Sequence, residues 1–278
     1  MRMSKEPDIL KVERLGISFP GHSVLRDVSF VLRQGEFCGL IGANGSGKTT
    51  LLRTILGFQK STSGNIRING LQGRAGRNVI GYVPQKNVLD PDMPMRARDL
   101  VALGLDGYRL GLPLSSRKRT DLVEKMLNAV DAEHFANERI GRLSGGQQQR
   151  ILIAHALIRQ PKLLLLDEPI ANLDIRSVAE IVGLLGRLAK EQQVSVLLSA
   201  HDMNPLLSNM DRIIYLANGR AASGPTDAVV RGEVLSQLYG HHIDVIRVHG
   251  RVLVVAAASS GDICDMMARE PVHVAQIP

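Results

Sequence analysis

The sequence predicts an α/β fold: a mostly parallel sheet flanked by helices, preceded by an antiparallel β lobe, interrupted by a helical subdomain and followed by a small C-terminal appendage. Three observations carry that expectation. The opening stretch alternates apolar and polar residues, as half-buried strands do. Two later runs, KLLLLDEP and VSVLLSAHD, are short and continuously apolar, the mark of strands buried on both faces. Helical spacing alternates with those runs, which implies a parallel core. At 278 residues the chain buries a full core without staples. The expected division is a main domain over 8–225, with the helical subdomain inserted at about 88–158, and an extension over 226–278.

Taken in order, ILKVERLGISF and VLRDVSFVL, with turns at PGH and RQGE, read as strands of the lobe. GEFCGLI reads as a short buried strand, and KTTLLRTILG as a helix closed by Gly57. SGNIRINGLQG reads as a hairpin-like piece, and NVIGYVPQK as a short strand ending in Pro84 and Gln85. From Arg96 to Arg159 the pattern turns helical: RARDLVALGL and RTDLVEKMLNAVDAEHFA place apolar residues at i, i+3 and i+4. VAEIVGLLGRLAKEQ is the helix between the two buried strands. After Gly224, DAVVRGEVLSQLYG reads as one helix and IDVIRVHGRVLVVAA as two strands joined around Gly250. There is no internal repeat and no low-complexity linker.

Composition narrows the function classes. A net charge of +7 suits nucleic acid, anionic lipid headgroups or acidic partners alike. Aromatics make up only 3% of the chain and Trp is absent, so a stacking platform for single-stranded nucleic acid is short of material. Cys38 and Cys264 lie far apart and make no metal-ligand pattern, which suits a reducing cytoplasm, with Cys38 as core. MRMSKEPDIL lacks the apolar core of a signal peptide, and no run approaches the roughly 18 apolar residues of a membrane span. The expectation is a protein that meets membranes only through a partner.

The strongest local signal is LIGANGSGKTTLL, which joins a buried strand to a helix N-terminus. Its spacing from Gly42 through Asn44, Gly45, Ser46 and Gly47 to Lys48, Thr49 and Thr50 fits G-x-x-x-x-G-K-[ST], the phosphate-binding loop of a P-loop NTPase core. Without side chains, consecutive backbone N–H groups can turn inward around an anion, and the helix dipole adds to that field. Lys48 is expected at the β- and γ-phosphates and the Thr49 hydroxyl at Mg²⁺. An ordinary glycine-rich turn would not need the lysine and hydroxyl at those places.

Two acids follow the buried run LLLL: Asp167 and Glu168, where open α/β sheets put their ligands. Asp167 can hold Mg²⁺, and Glu168 can orient or deprotonate the attacking water; solvated loop acids are the plainer alternative. In RLSGGQQQRILIAHALIRQ, Ser144 precedes Gly145, Gly146 and Gln147 at the start of a second helical run, a second anion cradle. One phosphate loop cannot be near both cradles. The economical reading is a head-to-tail homodimer, each cradle closing on the γ-phosphate held by the other copy.

Gly42 to Thr49, Gln85, LSGGQ, LLLLDEP, NLD and His201 stand in the order found in the nucleotide-binding subunits of ATP-binding-cassette transporters, which the chain resembles from about Val12 to Gly224. The resemblance implies ATP with Mg²⁺ as the working pair. It puts Phe19 under the adenine ring, and Gln85 at Mg²⁺ and the water while sensing the membrane partner. It also puts Asp174 across the dimer, and His201 on the γ-phosphate beside Glu168. Phe19 offers a π-face where the family often has Tyr, and core packing is its other reading; Gln85 could equally be a turn residue. ANLD replaces the commoner SALD around Asp174.

Related cassettes power transport or act on nucleic acid or ribosomes, but those soluble relatives usually carry paired cassettes or a long coiled-coil insertion. This chain has neither. The favoured expectation is therefore an ATPase homodimer on the cytoplasmic face of the membrane, docked on integral-membrane permease subunits. A periplasmic or extracellular substrate-binding protein would be involved indirectly, and nucleic acid is not expected as a partner. YVPQKNVLDPDMPMRARDLVALGL and VLSQLYGHHIDVIRVHGRVLVVA resemble the zinc and manganese importer group; LDI and HDMN look more like siderophore and cobalamin importers. A divalent metal importer is the preferred reading. His241, His242 and His249 could form a regulatory metal site, though adjacent helical histidines do not share a face and scattered surface histidines are commoner.

Overall fold

The computed structural model describes residues 7–85, 92–106 and 117–256. In chain order they form β1 (Asp8–Phe19), β2 (His22–Arg33), β3 (Phe37–Ile41), α1 (Lys48–Leu56), β4 (Ser63–Ile68), α2 (Gly73–Arg77) and β5 (Ile80–Val83). The helices α3 (Ala97–Asp106), α4 (Arg117–Ala129) and α5 (Gly145–Leu157) follow. Next come β6 (Leu163–Asp167), α6 (Ile175–Gln192), β7 (Ser195–Ala200), β8 (Arg212–Ala217) and β9 (Arg220–Pro225). The described chain ends with α7 (Thr226–Val229), α8 (Gly232–Tyr239), β10 (Ile243–Val248) and β11 (Arg251–Ala256).

The lobe is an antiparallel sheet in the order β2–β1–β4, and the core is a sheet in the order β5–β6–β7–β3–β8–β9. Every pairing in the core sheet is parallel except β8 with β9. All residues of β3, β6 and β7 are buried, because both faces of the sheet are covered. Alternation then deals their side chains to two cores. Phe37, Ile41, Leu164, Leu166, Val196 and Leu198 face one core with the helices, whereas Cys38, Leu40, Leu163, Leu165 and Leu197 face the other with the lobe and α1. Burial pushes the Cys38 thiol far above its ordinary range, as befits a core side chain.

Several elements differ from expectation for local reasons. The hairpin-like piece is one strand, β4, which pairs with β1; its Asn69–Gly70 turn closes only the bridge between Ile68 and Leu71. The helix expected through Ala136 stops at Ala129, and Asp131 turns left-handed with φ 54°. The single C-terminal helix is two, α7 and α8, since Arg231 is extended at φ −130° and ψ 145°. His241 and His242 therefore lie beyond the helix, whose end Gly240 caps at φ 78°. β8 and β9 went unread, because β8 holds one charged residue before an apolar run and β9 is a small-residue edge strand. β10 and β11 form the expected hairpin, with His249 at φ 48° and Gly250 at φ 77° making its turn. Cys264 lies outside the described residues.

The register assembles the site. Ile41 pairs with Ala200 across β3 and β7, and Asp167 pairs with Ser199 across β6 and β7. The glycine loop, the two acids and His201 thus leave the sheet side by side at its carboxyl edge, where α/β sheets bind ligands. No helix of the described residues is long and apolar enough to cross a membrane.

Candidate active site

Gly45 and Gly47 take φ of 80° and 102°, a left-handed region where a side chain would be strained, and this lets the loop after β3 curl over the N-terminus of α1. Gly42 is required for space: a Cβ there would lie 2.6 Å from the Leu216 carbonyl. Lys48, only 4% exposed, threads back beneath the loop. Its ammonium donates to the Gly42 carbonyl at 2.8 Å and the Ala43 carbonyl at 3.2 Å, and lies 3.5 Å from Glu168 Oε1. Three donors thus have three acceptors, and the carboxylate is the most distant of them.

The carboxylates are held from behind. Thr49 Oγ1 donates to Asp167 Oδ1 at 3.3 Å, and the Ser199 hydroxyl donates to that same oxygen at 2.8 Å. Ser199 also accepts from the Glu168 N–H at 2.9 Å, so one buried hydroxyl fixes both acids. Glu168 itself sits at φ 50°, a strained backbone for a non-glycine residue. Gln85 Nε2 donates to Glu168 Oε2 at 2.7 Å. The result is a cleft of about 380 Å³ lined by Asn44, Gly45, Lys48, Thr49, Gln85 and Glu168, among others.

The chemistry of this set fits a nucleotide phosphate with a hard cation. The loop supplies N–H groups and an ammonium for phosphate oxygens. The buried Ser46 hydroxyl oxygen has no hydrogen-bond partner among the described residues, a polar atom left for a ligand. Thr49 and Asp167 are the hydroxyl and carboxylate that could hold Mg²⁺, which is bound by one or two such groups together with substrate phosphates. Among the described residues no group of three or more His, Cys, Asp or Glu could cage a metal. The three C-terminal histidines are dispersed: His241 packs edge-on against Tyr239 at 5.7 Å, His242 lies 3.2 Å from Asp244, and His249 is in the hairpin turn.

Other expected residues stand apart. Phe19, at the end of β1, is 43% exposed rather than core. His201 follows β7 directly, is exposed, and has no hydrogen bond or ion pair among the described residues. Ser144 caps α5 in a capping box: Ser144 Oγ accepts from Gln147 N at 3.3 Å, and Gln147 Oε1 accepts from Ser144 N at 2.9 Å. Asp174 caps α6, accepting from Ser177 N at 2.9 Å and Ser177 Oγ at 2.7 Å, and those bonds hold its carboxyl below the ordinary range. The two caps are neighbours, since a Cβ on Gly146 would lie 2.7 Å from Ser177 Oγ. Among the described residues, no hydrogen bond or ion pair joins them to the Lys48 cluster.

Ser199 was missed from the sequence. A signal existed: it is a hydroxyl near the end of a wholly buried strand, just after the apolar run Val196–Leu198, where a polar group needs a partner.

Comparison with known proteins meets this geometry. The ABC transporter family model matches residues 25–171, which include the glycine loop, LSGGQ and LLLLDEP. The manganese transport system ATP-binding protein MntB of Bacillus subtilis is 35% identical over 240 residues, covering 86% of this chain and 95% of that protein. The zinc import ATP-binding protein ZnuC of Pseudomonas savastanoi is 32% identical over 263 residues, covering 91% and 93%. Among solved structures, a dimeric ATP-binding cassette in a post-hydrolysis state with ADP and Pi superposes with a TM-score of 0.65 at 30% identity, covering 78% of this chain and 98% of that one. With a family match over half its length and full-span relatives, the chain belongs to the ABC transporter family, as its ATP-binding subunit and ATPase.

Proposed function

We propose that this chain is the ATPase of a membrane importer for divalent metal ions, zinc or manganese, and works as a homodimer docked on separate permease subunits at the cytoplasmic face of the membrane. One observation carries the substrate class: proteins named for manganese transport and zinc import align with almost their whole length, the C-terminal extension partly included. In this reading residues 8–225 are the ATPase domain, 88–158 its helical subdomain facing the permease, and 226–278 an extension. A substrate-binding protein outside the membrane would deliver the ion to the permease.

The proposed roles follow from residue chemistry. Gly42, Asn44, Gly45, Ser46, Gly47, Lys48, Thr49 and Thr50 bind the phosphates, and Phe19 stacks on adenine. Thr49, Asp167 and Gln85 hold Mg²⁺, which neutralises phosphate charge when bound. Glu168 is the base for the attacking water, with Gln85 and His201 completing the geometry. An arriving phosphate competes with Glu168 for the ammonium of Lys48, since that contact, at 3.5 Å, is the longest of its three. The displaced carboxylate is then free for water, so phosphate binding and base release are one event. Ser144, Gly145, Gly146 and Gln147 act on the γ-phosphate of the other copy, and Asp174 faces that copy across the dimer.

The test is elemental analysis of cells lacking the gene and grown with little metal. Zinc or manganese content is expected to fall while siderophore and cobalamin uptake stay normal. Unchanged metal with lost chelate uptake overturns the substrate class; normal uptake of all of them with defective translation or repair overturns the transporter assignment.

A further inference from the structure

His201 stands between two anchors. Two residues before it, Ser199 holds Asp167 and the Glu168 N–H. Three residues after it, Asn204 is clasped by the C-terminal hairpin. The Val252 N–H donates to Asn204 Oδ1 at 2.7 Å, and Asn204 Nδ2 donates to the Val252 carbonyl at 3.0 Å. One side-chain amide therefore makes the paired bonds that a neighbouring strand would make.

The intervening turn is tied as well. Asp202 Oδ1 accepts from Asn204 N at 2.9 Å and from Asn204 Nδ2 at 2.8 Å. The hairpin that supplies Val252 is itself seated. Ile243 and Val252 are buried in the main core, Val245 and Val254 pack against it, and Arg247 donates to Asp227 Oδ1 at 3.0 Å. His201 has no side-chain partner of its own among the described residues, so its backbone is what ties its imidazole to the rest of the fold.

We propose that Asn204 is a positioning residue for ATP hydrolysis, fastening the His201 turn to the hairpin so that the C-terminal extension becomes part of the catalytic geometry. This rests on His201 being the γ-phosphate contact. Removing the amide strands the Val252 N–H and carbonyl in a largely buried place, which favours a shift of the hairpin or turn over an empty gap. A displacement of about 1 Å at a reacting contact costs turnover far more than ground-state binding. The expected signature is a loss in kcat with little change in KM.

The experiment measures ATPase activity against ATP concentration for the full chain. Asn204→Ala is expected to lower kcat by about tenfold with KM for ATP within about twofold. Val252→Pro, which removes the N–H donor and leaves Asn204 intact, should give the same split even if one variant folds poorly. In a His201→Ala background, Asn204→Ala should add no further loss. An additional loss in that background makes Asn204 merely structural and overturns the proposal. So does an Asn204→Ala enzyme with normal kcat while His201→Ala is crippled. If His201→Ala itself turns over normally, the role of His201 falls first, and this proposal with it.

Discussion

The Lys48 cluster and the Ser144–Asp174 cluster are both built at helix N-termini, and they are finished to different degrees. Around Lys48, elements from four parts of the chain converge: the loop before α1, Gln85 after β5, the acids at and just after the end of β6, and Ser199 of β7. Around Ser144, the polar groups bond mostly to residues three positions away, in local caps of α5 and α6. A network wired across the fold is rigid and committed to one geometry. A pair of self-closed caps is ready to present N–H groups and a carboxylate to something outside the chain. In the proposed homodimer that something is the other copy, with its triphosphate facing the N–H groups.

The largest expected effect breaks the first cluster. Glu168→Gln keeps shape and hydrogen bonding but removes the base, so ATPase turnover should fall by about 10²-fold or more while ATP still binds. The copies should then remain associated in ATP and Mg²⁺, as sized by light scattering; near-normal turnover with a persistent monomer would refute both the base and the closure. Ser199→Ala removes the hydroxyl shared by the two acids without touching either. A loss of about tenfold in kcat is expected, by analogy with groups that orient metal ligands, and unchanged kcat would show that the acids hold their places unaided.

The second cluster is tested by mixing. Lys48→Ala and Ser144→Arg chains should each be inactive as homodimers, yet a heterodimer keeps one composite site. With random exchange half the dimers are mixed and each has one working site of two, so recovery of about a quarter of the parent activity is expected. No recovery after proven subunit exchange would count against action of the Ser144 cluster in trans.

The contrast also explains what could be read beforehand. Lys48, Thr49, Asp167 and Glu168 were legible because their spacing along the chain encodes their geometry: a glycine loop must precede a helix, and acids must follow a buried strand. Ser144 was legible as a cap for the same local reason, whereas Asp174 was placed only by the family resemblance and its cap emerged from the fold. The strand order was not, because β7 comes to lie between β6 and β3 only through long-range pairing, which no local pattern records. Ser199 and Asn204 were hidden for that cause, since each matters through a partner far away in sequence, 32 residues to Asp167 and 48 to Val252. The break between α7 and α8 escaped although Gly232 adjoins it, because a single Gly inside a helical pattern does not by itself end a helix.

The smallest expected effect separates the clusters by pH. His155 lies near the end of α5, the helix that Ser144 caps, and its ring approaches Gly104 of α3, where a Cβ would lie 3.3 Å from His155 Cδ2. Burial holds this imidazole below its ordinary value of 6.5, since the charged form is penalised there. The folded state therefore resists a proton that the unfolded chain accepts. Its contribution to stability is intact above about pH 6.5 and is lost as pH falls from there toward the lowered folded value, at no more than about 1.4 kcal/mol per pH unit. His155→Gln removes the titrating group. The thermal midpoint of the parent should drop further between pH 7.5 and 5.5 than that of the variant, and the difference should be of modest size. Equal drops would mean that the α3–α5 packing does not sense the proton, and that acid sensitivity arises elsewhere among the eight histidines and the carboxylates.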